Sequence, residues 1–98
     1  MQKIGIIPIG KEGKHIANIL AKQLKGDQIT RSDVGMRWAD FDAFIFIGAM
    51  GICVRTIAPH IKDKHTDPAV ICIDSNGKEV VSVLSGPVYR AFSPAAFA

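Results

Sequence analysis

The chain has 98 residues, enough for one domain and too few for two. Hydrophobic residues make up 48% of it and charged residues 21%, a balance that excludes disordered and fibrous classes. Its 12 Lys and Arg against 9 Asp and Glu leave a formal charge of +3. That excess favours anionic partners, but with no basic run longer than two residues no nucleic-acid partner is expected.

In chain order, the apolar run Lys3 to Gly10 predicts a strand. Gly5, Pro8 and the charges of Lys11 and Glu12 make that run too short for a membrane span or a secretory signal, so the cytoplasm is the expected compartment and no membrane partner is expected. Ile16, Ala17, Leu20 and Leu24 recur at helical spacing and predict a helix over His15 to Gly26, with Gly26 as the left-handed cap. Asp27 to Asp42 is polar and mixed, and reads as a short edge strand with a turn. Ala43 to Gly48 is a continuous apolar run, the signature of a central strand covered on both faces.

Gly48 to Lys62 predicts a second helix with Val54, Ile57, Ala58 and Ile61 on its apolar stripe and a break near Pro59. Ala69 to Asp74 and Lys78 to Leu84 are rich in β-branched residues, and Asn76-Gly77 between them signals a hairpin. The final segment from Pro87 to Ala98 shows no clean period. The expected fold is α/β, a three-layer α/β/α arrangement resembling the flavodoxin and Rossmann classes, its mostly parallel sheet carrying an antiparallel hairpin strand.

Two glycine-bearing turns follow predicted strands, Gly10 to Gly13 and the run Gly48, Ala49, Met50, Gly51. Exposed N–H groups at a helix start attract anions, although such glycines can equally serve tight turns alone. Neither turn is a Walker A loop or a dinucleotide fingerprint. Arg55 and Lys62, read as one helix face, form with Lys64 and His65 a basic patch suited to carboxylates or phosphates, or else a merely solvated face. Cys53, Thr56 and His60 share another helix face, but no third ligand completes a metal site, so no metal is expected and Cys53 and Cys72 read as reduced thiols. Asp67, held extended by Pro68, can project its carboxylate into a site or make a turn.

As a set, the segment from Phe44 to Gly86 resembles the N-terminal domain of the cobalamin biosynthesis protein CbiG family, the cobalt-precorrin-5A hydrolases. The matching features are the Gly-x-x-Gly turn, Val54-Arg55, Ala58-Pro59, the run Lys64 to Val70, and Leu84-Ser85-Gly86. The resemblance implies hydrolytic opening of a δ-lactone on a cobalt-bearing tetrapyrrole with release of acetaldehyde. The cobalt then travels within the substrate, no separate cofactor is needed, and the partner is that tetrapyrrole. It further implies a substrate-binding set of Gly48, Ala49, Met50, Gly51, Arg55, Lys64, Ser85 and Gly86, with His65 and Asp67 as the candidates for proton transfer or water orientation.

After Gly86 the family continues with His and a Gly-Gly-Ala-Asn run, whereas Pro87, Val88, Tyr89 and Arg90 stand here. The chain therefore divides into residues 1–86, similar to the family domain, and an atypical tail, 87–98, as a frameshift or truncation would produce. On that reading the isolated chain is inactive, and the missing helix uncovers a sheet face that promotes self-association. The alternative is a non-catalytic module that binds an anion or a tetrapyrrole for a partner.

Overall fold

The computed structural model describes residues 2–86, so the expectations for the segment after Gly86 lie outside the described residues. Strand β1 (Ile4–Pro8) leads into helix α1 (Gly10–Leu24), and β2 (Asp27–Gln28) into α2 (Arg31–Met36). Strand β3 (Ala43–Ile47) is followed by α3 (Met50–Ile57), a short 3-10 turn (Ala58–His60), β4 (Ala69–Ile73) and β5 (Val80–Leu84). The strands form one sheet in the order β2-β1-β3-β4-β5, with every pair parallel except the antiparallel β4-β5. This is the expected α/β architecture, and its first four strands follow the flavodoxin-type order.

Alternation along the strands sorts the core into two layers. Ile4, Ile6, Ala43, Ile45, Ile47, Ala69, Ile71 and Ile73 pack on the face covered by α1 through Ala17, Leu20 and Leu24. Ile7, Phe44, Phe46, Val70 and Cys72 project the other way, against Val34 and Trp38 from the α2 region and Cys53 and Ile57 of α3. The continuous apolar reading of Ala43 to Gly48 holds, since β3 is buried along its whole length on both faces.

Several boundaries differ from the sequence reading. Helix α1 starts at Gly10 rather than His15, so Gly13 lies inside it and brings the helix close to the Ile47 carbonyl of β3. Its left-handed terminus is Lys25 (φ 53°), while Gly26 provides room against Ile6. The polar stretch from Asp27 holds α2 as well as the edge strand. The Asp33 carboxylate starts this helix by accepting the Thr30 N–H at 3.0 Å and the Thr30 hydroxyl at 2.9 Å.

Helix α3 ends at Ile57 and tightens into the 3-10 turn at Pro59, as a proline there requires. Its buried face, however, carries Cys53 and Ile57, while Val54 and Ile61 stay largely exposed. Lys62 lies beyond the helix, so it does not share a helical face with Arg55. The hairpin forms as expected but closes through a longer loop, in which the Asp74 carboxylate accepts the N–H groups of Lys78 (2.7 Å) and Glu79 (3.1 Å). Strand β4 is buried along its whole length, Ala69 to Ile73, while the edge strand β5 leaves Val81 exposed. No helix of the described residues is long and apolar enough to cross a membrane.

Candidate functional site

The segments Lys64 to Val70 and Leu84 to Gly86, separated by most of the hairpin, meet across one cleft of about 510 Å³ lined by Ile61, Lys64, His65, Asp67, Val83, Leu84, Ser85 and Gly86. Apolar side chains of Ile61, Val83 and Leu84 line part of it, and Lys64 and His65 stand exposed at its polar part. Gly86 makes this meeting possible. Its φ is +62°, and a Cβ there would come within 2.8 Å of both the Pro68 carbonyl carbon and the Ala69 Cα. Only a residue without a side chain lets the end of β5 lie so close to the start of β4.

Asp67 is buried, with 4% of its surface exposed, and both of its oxygens are engaged. Oδ1 accepts the Trp38 indole N–H at 3.1 Å, and Oδ2 accepts the backbone N–H groups of Lys62 (2.8 Å) and Asp63 (3.0 Å). Burial pushes its carboxyl up, but the Lys62 N–H, the indole, the Asp63 N–H and the Lys62 charge together hold it below the usual value. The carboxylate thus gathers the loop from Ile61 to Asp67 around itself and ties that loop to the second core layer. Trp38 in turn stacks on Phe44 (5.5 Å between ring centroids) and lies 5.8 Å from the His60 ring. Of the face carrying Cys53, Thr56 and His60, Cys53 is core, while Thr56 and His60 are half-buried, with Thr56 donating to the Ile52 carbonyl at 2.7 Å. No group of three or more potential metal ligands occurs among the described residues.

The glycine turn after β3 lies elsewhere. Gly48 (φ +144°) sits against Ile9, where a Cβ would approach the Ile9 Cβ to 2.7 Å, and its N–H donates to the Ile73 carbonyl at 2.8 Å. Gly48, Ala49 and Met50 line a smaller cleft of about 200 Å³ with Cys72, Asp74, Glu79 and Val81. This cleft is at the carboxyl end of β4, whereas the Lys64 cleft is at its amino end, roughly 15 Å away along the strand. Gly51 faces open space at the start of α3, and Arg55 is exposed on that helix and lines neither cleft.

The expected binding set is thus divided. Lys64, His65, Asp67, Ser85 and Gly86 converge, Gly48 to Met50 form a second locus, and Arg55 stands apart from both. Both clefts open on the α3 side of the sheet, one at each end of β5, with the half-exposed Val81 lining the smaller and Val83 the larger. A third cleft, of about 390 Å³, lies at the ends of β1 and β2 beside Lys14, Thr30 and Arg31. Trp38 and Ile61 were not singled out from sequence. The signal for Trp38 was its isolation as the one tryptophan in a polar stretch, and Ile61 was assigned to a core stripe it does not join.

The sequence model of the family described as cobalamin synthesis G N-terminal matches residues 32–95. The chain is 56% identical over 46 residues to the cobalt-precorrin-5A hydrolase of Salmonella typhimurium and 52% identical over 48 residues to that of Priestia megaterium. These alignments take in 47% and 49% of this chain and 13% of each relative. A solved cobalamin biosynthesis protein G homologue from Sulfolobus solfataricus has the same fold, with a TM-score of 0.81 at 23% identity over 97% of this chain and 34% of that one. On the extent of the family match, this chain belongs to the cobalamin synthesis G N-terminal family.

Proposed function

We propose that the chain is the N-terminal α/β portion of a cobalt-precorrin-5A hydrolase, an enzyme that opens a δ-lactone on a cobalt-bearing tetrapyrrole and releases acetaldehyde. The observation that carries this reading is the convergence of Lys64 to Val70 with Leu84 to Gly86 on one cleft, since both runs belong to the family resemblance. A tetrapyrrole decorated with acetate and propionate groups pairs an apolar ring with carboxylates. Ile61, Val83 and Leu84 suit the first, and the Lys64 ammonium the second. A flat ring laid over Val81 and Val83 reaches both ends of β5, which gives the N–H groups at the start of α3 a role toward a developing oxyanion.

In this proposal His65, exposed at the cleft, handles the proton, and Asp67 positions the loop that carries Lys64 and His65. Water attacks the lactone carbonyl directly, cobalt enters within the substrate, and no resident cofactor takes part. With only 13% of each curated relative aligned, the remaining machinery belongs to the rest of such an enzyme, and the 98-residue chain is expected to bind without turnover.

Titrating the chain with cobalt-precorrin-5A by absorbance tests this reading. Saturable binding is expected, with Lys64→Ala weakening it about tenfold, as loss of one charge-assisted contact would. Arg55→Ala, away from both clefts, is the comparison. Absence of any spectral change at high concentration, or equal loss in the two variants, overturns the assignment. The second reading, a non-catalytic tetrapyrrole-binding module, is separated by acetaldehyde release from a chain extended to the length of its relatives.

A further inference from the structure

The Asn76-Gly77 pair marks the hairpin in the sequence, and the proposed function leaves its chemistry unused. Both residues stand exposed in the loop between β4 and β5. Gly77 is required there, since its φ is +74° and a Cβ would come within 3.1 Å of the Ile16 Cδ1 of α1. The fold therefore keeps a residue without a side chain directly after an asparagine, and nothing on Gly77 itself shields its nitrogen from the Asn76 carboxamide. The chain has one other asparagine, Asn18, in a different setting. It lies inside α1, it precedes the β-branched Ile19, and its Oδ1 accepts the Gln28 Nε2–H at 2.6 Å.

We propose that Asn76 is a site of self-modification, at which the backbone nitrogen of Gly77 displaces the side-chain amide and the hairpin passes to an aspartate and an isoaspartate form. The bond that forms joins the Gly77 nitrogen to Asn76 Cγ, and the Cγ–Nδ2 bond breaks. The proton given up by the Gly77 nitrogen leaves with Nδ2 as ammonia, and a cyclic succinimide remains. Water then opens this ring. Attack at Cγ gives aspartate with the main chain restored, and attack at the Asn76 backbone carbonyl carbon gives isoaspartate, whose main chain runs through Cβ and Cγ. Water is the co-reactant, and nothing is oxidised or reduced.

The turn sets both the pace and the consequence. The Gly77 N–H donates to the Asp74 carbonyl at 2.9 Å, and the Asp74 carboxylate accepts the N–H groups of Lys78 and Glu79, so the attacking nitrogen is released when this turn opens. An isoaspartate lengthens the backbone inside the span that these bonds close, and that turn fixes the register of β5 against β4. Either product also adds a carboxylate to the loop that holds Asp74 and Glu79, which line the cleft of Gly48, Ala49 and Met50. Modification thus loosens the start of β5 and makes that end of the sheet more acidic. This inference is independent of what the clefts bind.

The test is incubation of the folded 98-residue chain in warm neutral buffer for several weeks, followed by intact-mass measurement and by peptide mapping that separates aspartate from isoaspartate. The peptide bearing Asn76 is expected to gain the mass difference between an amide and an acid and to resolve into two products, while the peptide bearing Asn18 stays unchanged. Unfolding the chain in guanidinium chloride should speed conversion at Asn76 several-fold by opening the turn. In the isolated isoaspartate form, amide exchange from Gly77 to Val81 should be faster than in the parent chain. Asn76→Gln, whose longer side chain does not close the same ring, should keep its mass throughout. The proposal is overturned if Asn76 persists through the incubation, if Asn18 converts as fast, if the unfolded chain converts no faster, if exchange at the start of β5 is unchanged, or if Asn76→Gln gains the same mass. The mapping of the unsubstituted chain decides the matter even if the variant fails to fold.

Discussion

Asp67 shows how a carboxylate that sequence marks as a candidate acid or base can be drawn into architecture. The Pro68 after it suggested a group held extended, either projecting from a loop into a site or making a turn. What sequence does not contain is the position of Trp38, whose indole reaches Asp67 from a segment 29 residues earlier. Asp67→Ala is expected to destabilise the fold by about 3 kcal/mol, because it leaves a buried indole N–H and two backbone N–H groups without their acceptor. A urea midpoint unchanged from the parent chain would contradict this.

The same carboxylate makes stability depend on pH. Its folded-state value lies below the ordinary 3.8, so its contribution is complete above that value and is lost as pH falls through the lower, folded one. The emission of Trp38, the only tryptophan, should shift over that acid window and lose this transition in Asp67→Asn. Gly86→Ala adds a second expectation at this scale. With positive φ and neighbours at 2.8 Å, the substitution should cost on the order of 1–3 kcal/mol and widen the cleft, read by chemical denaturation.

Elements were legible in proportion to how far their stability is local. Strands β1, β3 and β4 are nearly uniform apolar runs, and the Asn76-Gly77 pair marked the return to β5, so all four stood out by pattern. Helix α2 did not. It has six residues and a single buried side chain, Val34, and it depends on Asp33 capping Thr30 and on Gly35 lying against the His60 ring. The Thr-x-x-Asp spacing was a visible start signal, but a helix this short is held chiefly by its neighbours.

Helix α3 was legible in position and misread in orientation. Its first half is a mixture of apolar residues, so more than one stripe fits the period, and the sheet selects the one carrying Cys53 and Ile57. Gly51 in its first turn meets nothing within 4 Å. Gly51→Ala should therefore stabilise the chain by about 0.5–1 kcal/mol through helix propensity alone, and a lowered thermal midpoint would show that the turn has a constraint the packing does not reveal.

At the scale of the molecule, the sheet order places β1, β3 and β4 inside and leaves β2 and β5 at the edges. Amide exchange should accordingly be slowest along the three inner strands, with β5 opening earlier; equal protection of β3 and β5 would contradict the ranking. The exposed Val81 and the two clefts at the ends of β5 put this edge strand where a ligand or further chain can reach it.

By itself, the amino-acid sequence determined the α/β class, the strand-turn-helix order and the family resemblance, because apolar periodicity, glycine placement and short motifs are properties of neighbouring residues. Only the tertiary structure decided which of the motif residues share a cleft. Lys64, His65 and Asp67 join Ser85 and Gly86 at one end of β4, and Gly48 to Met50 stand at the other, because a strand of five residues separates its two ends however close their motifs lie along the chain. The same packing gave Arg55 to solvent, set Cys53 and Cys72 in one core layer, and turned Asp67 toward Trp38, placements set by which helix covers which face of the sheet.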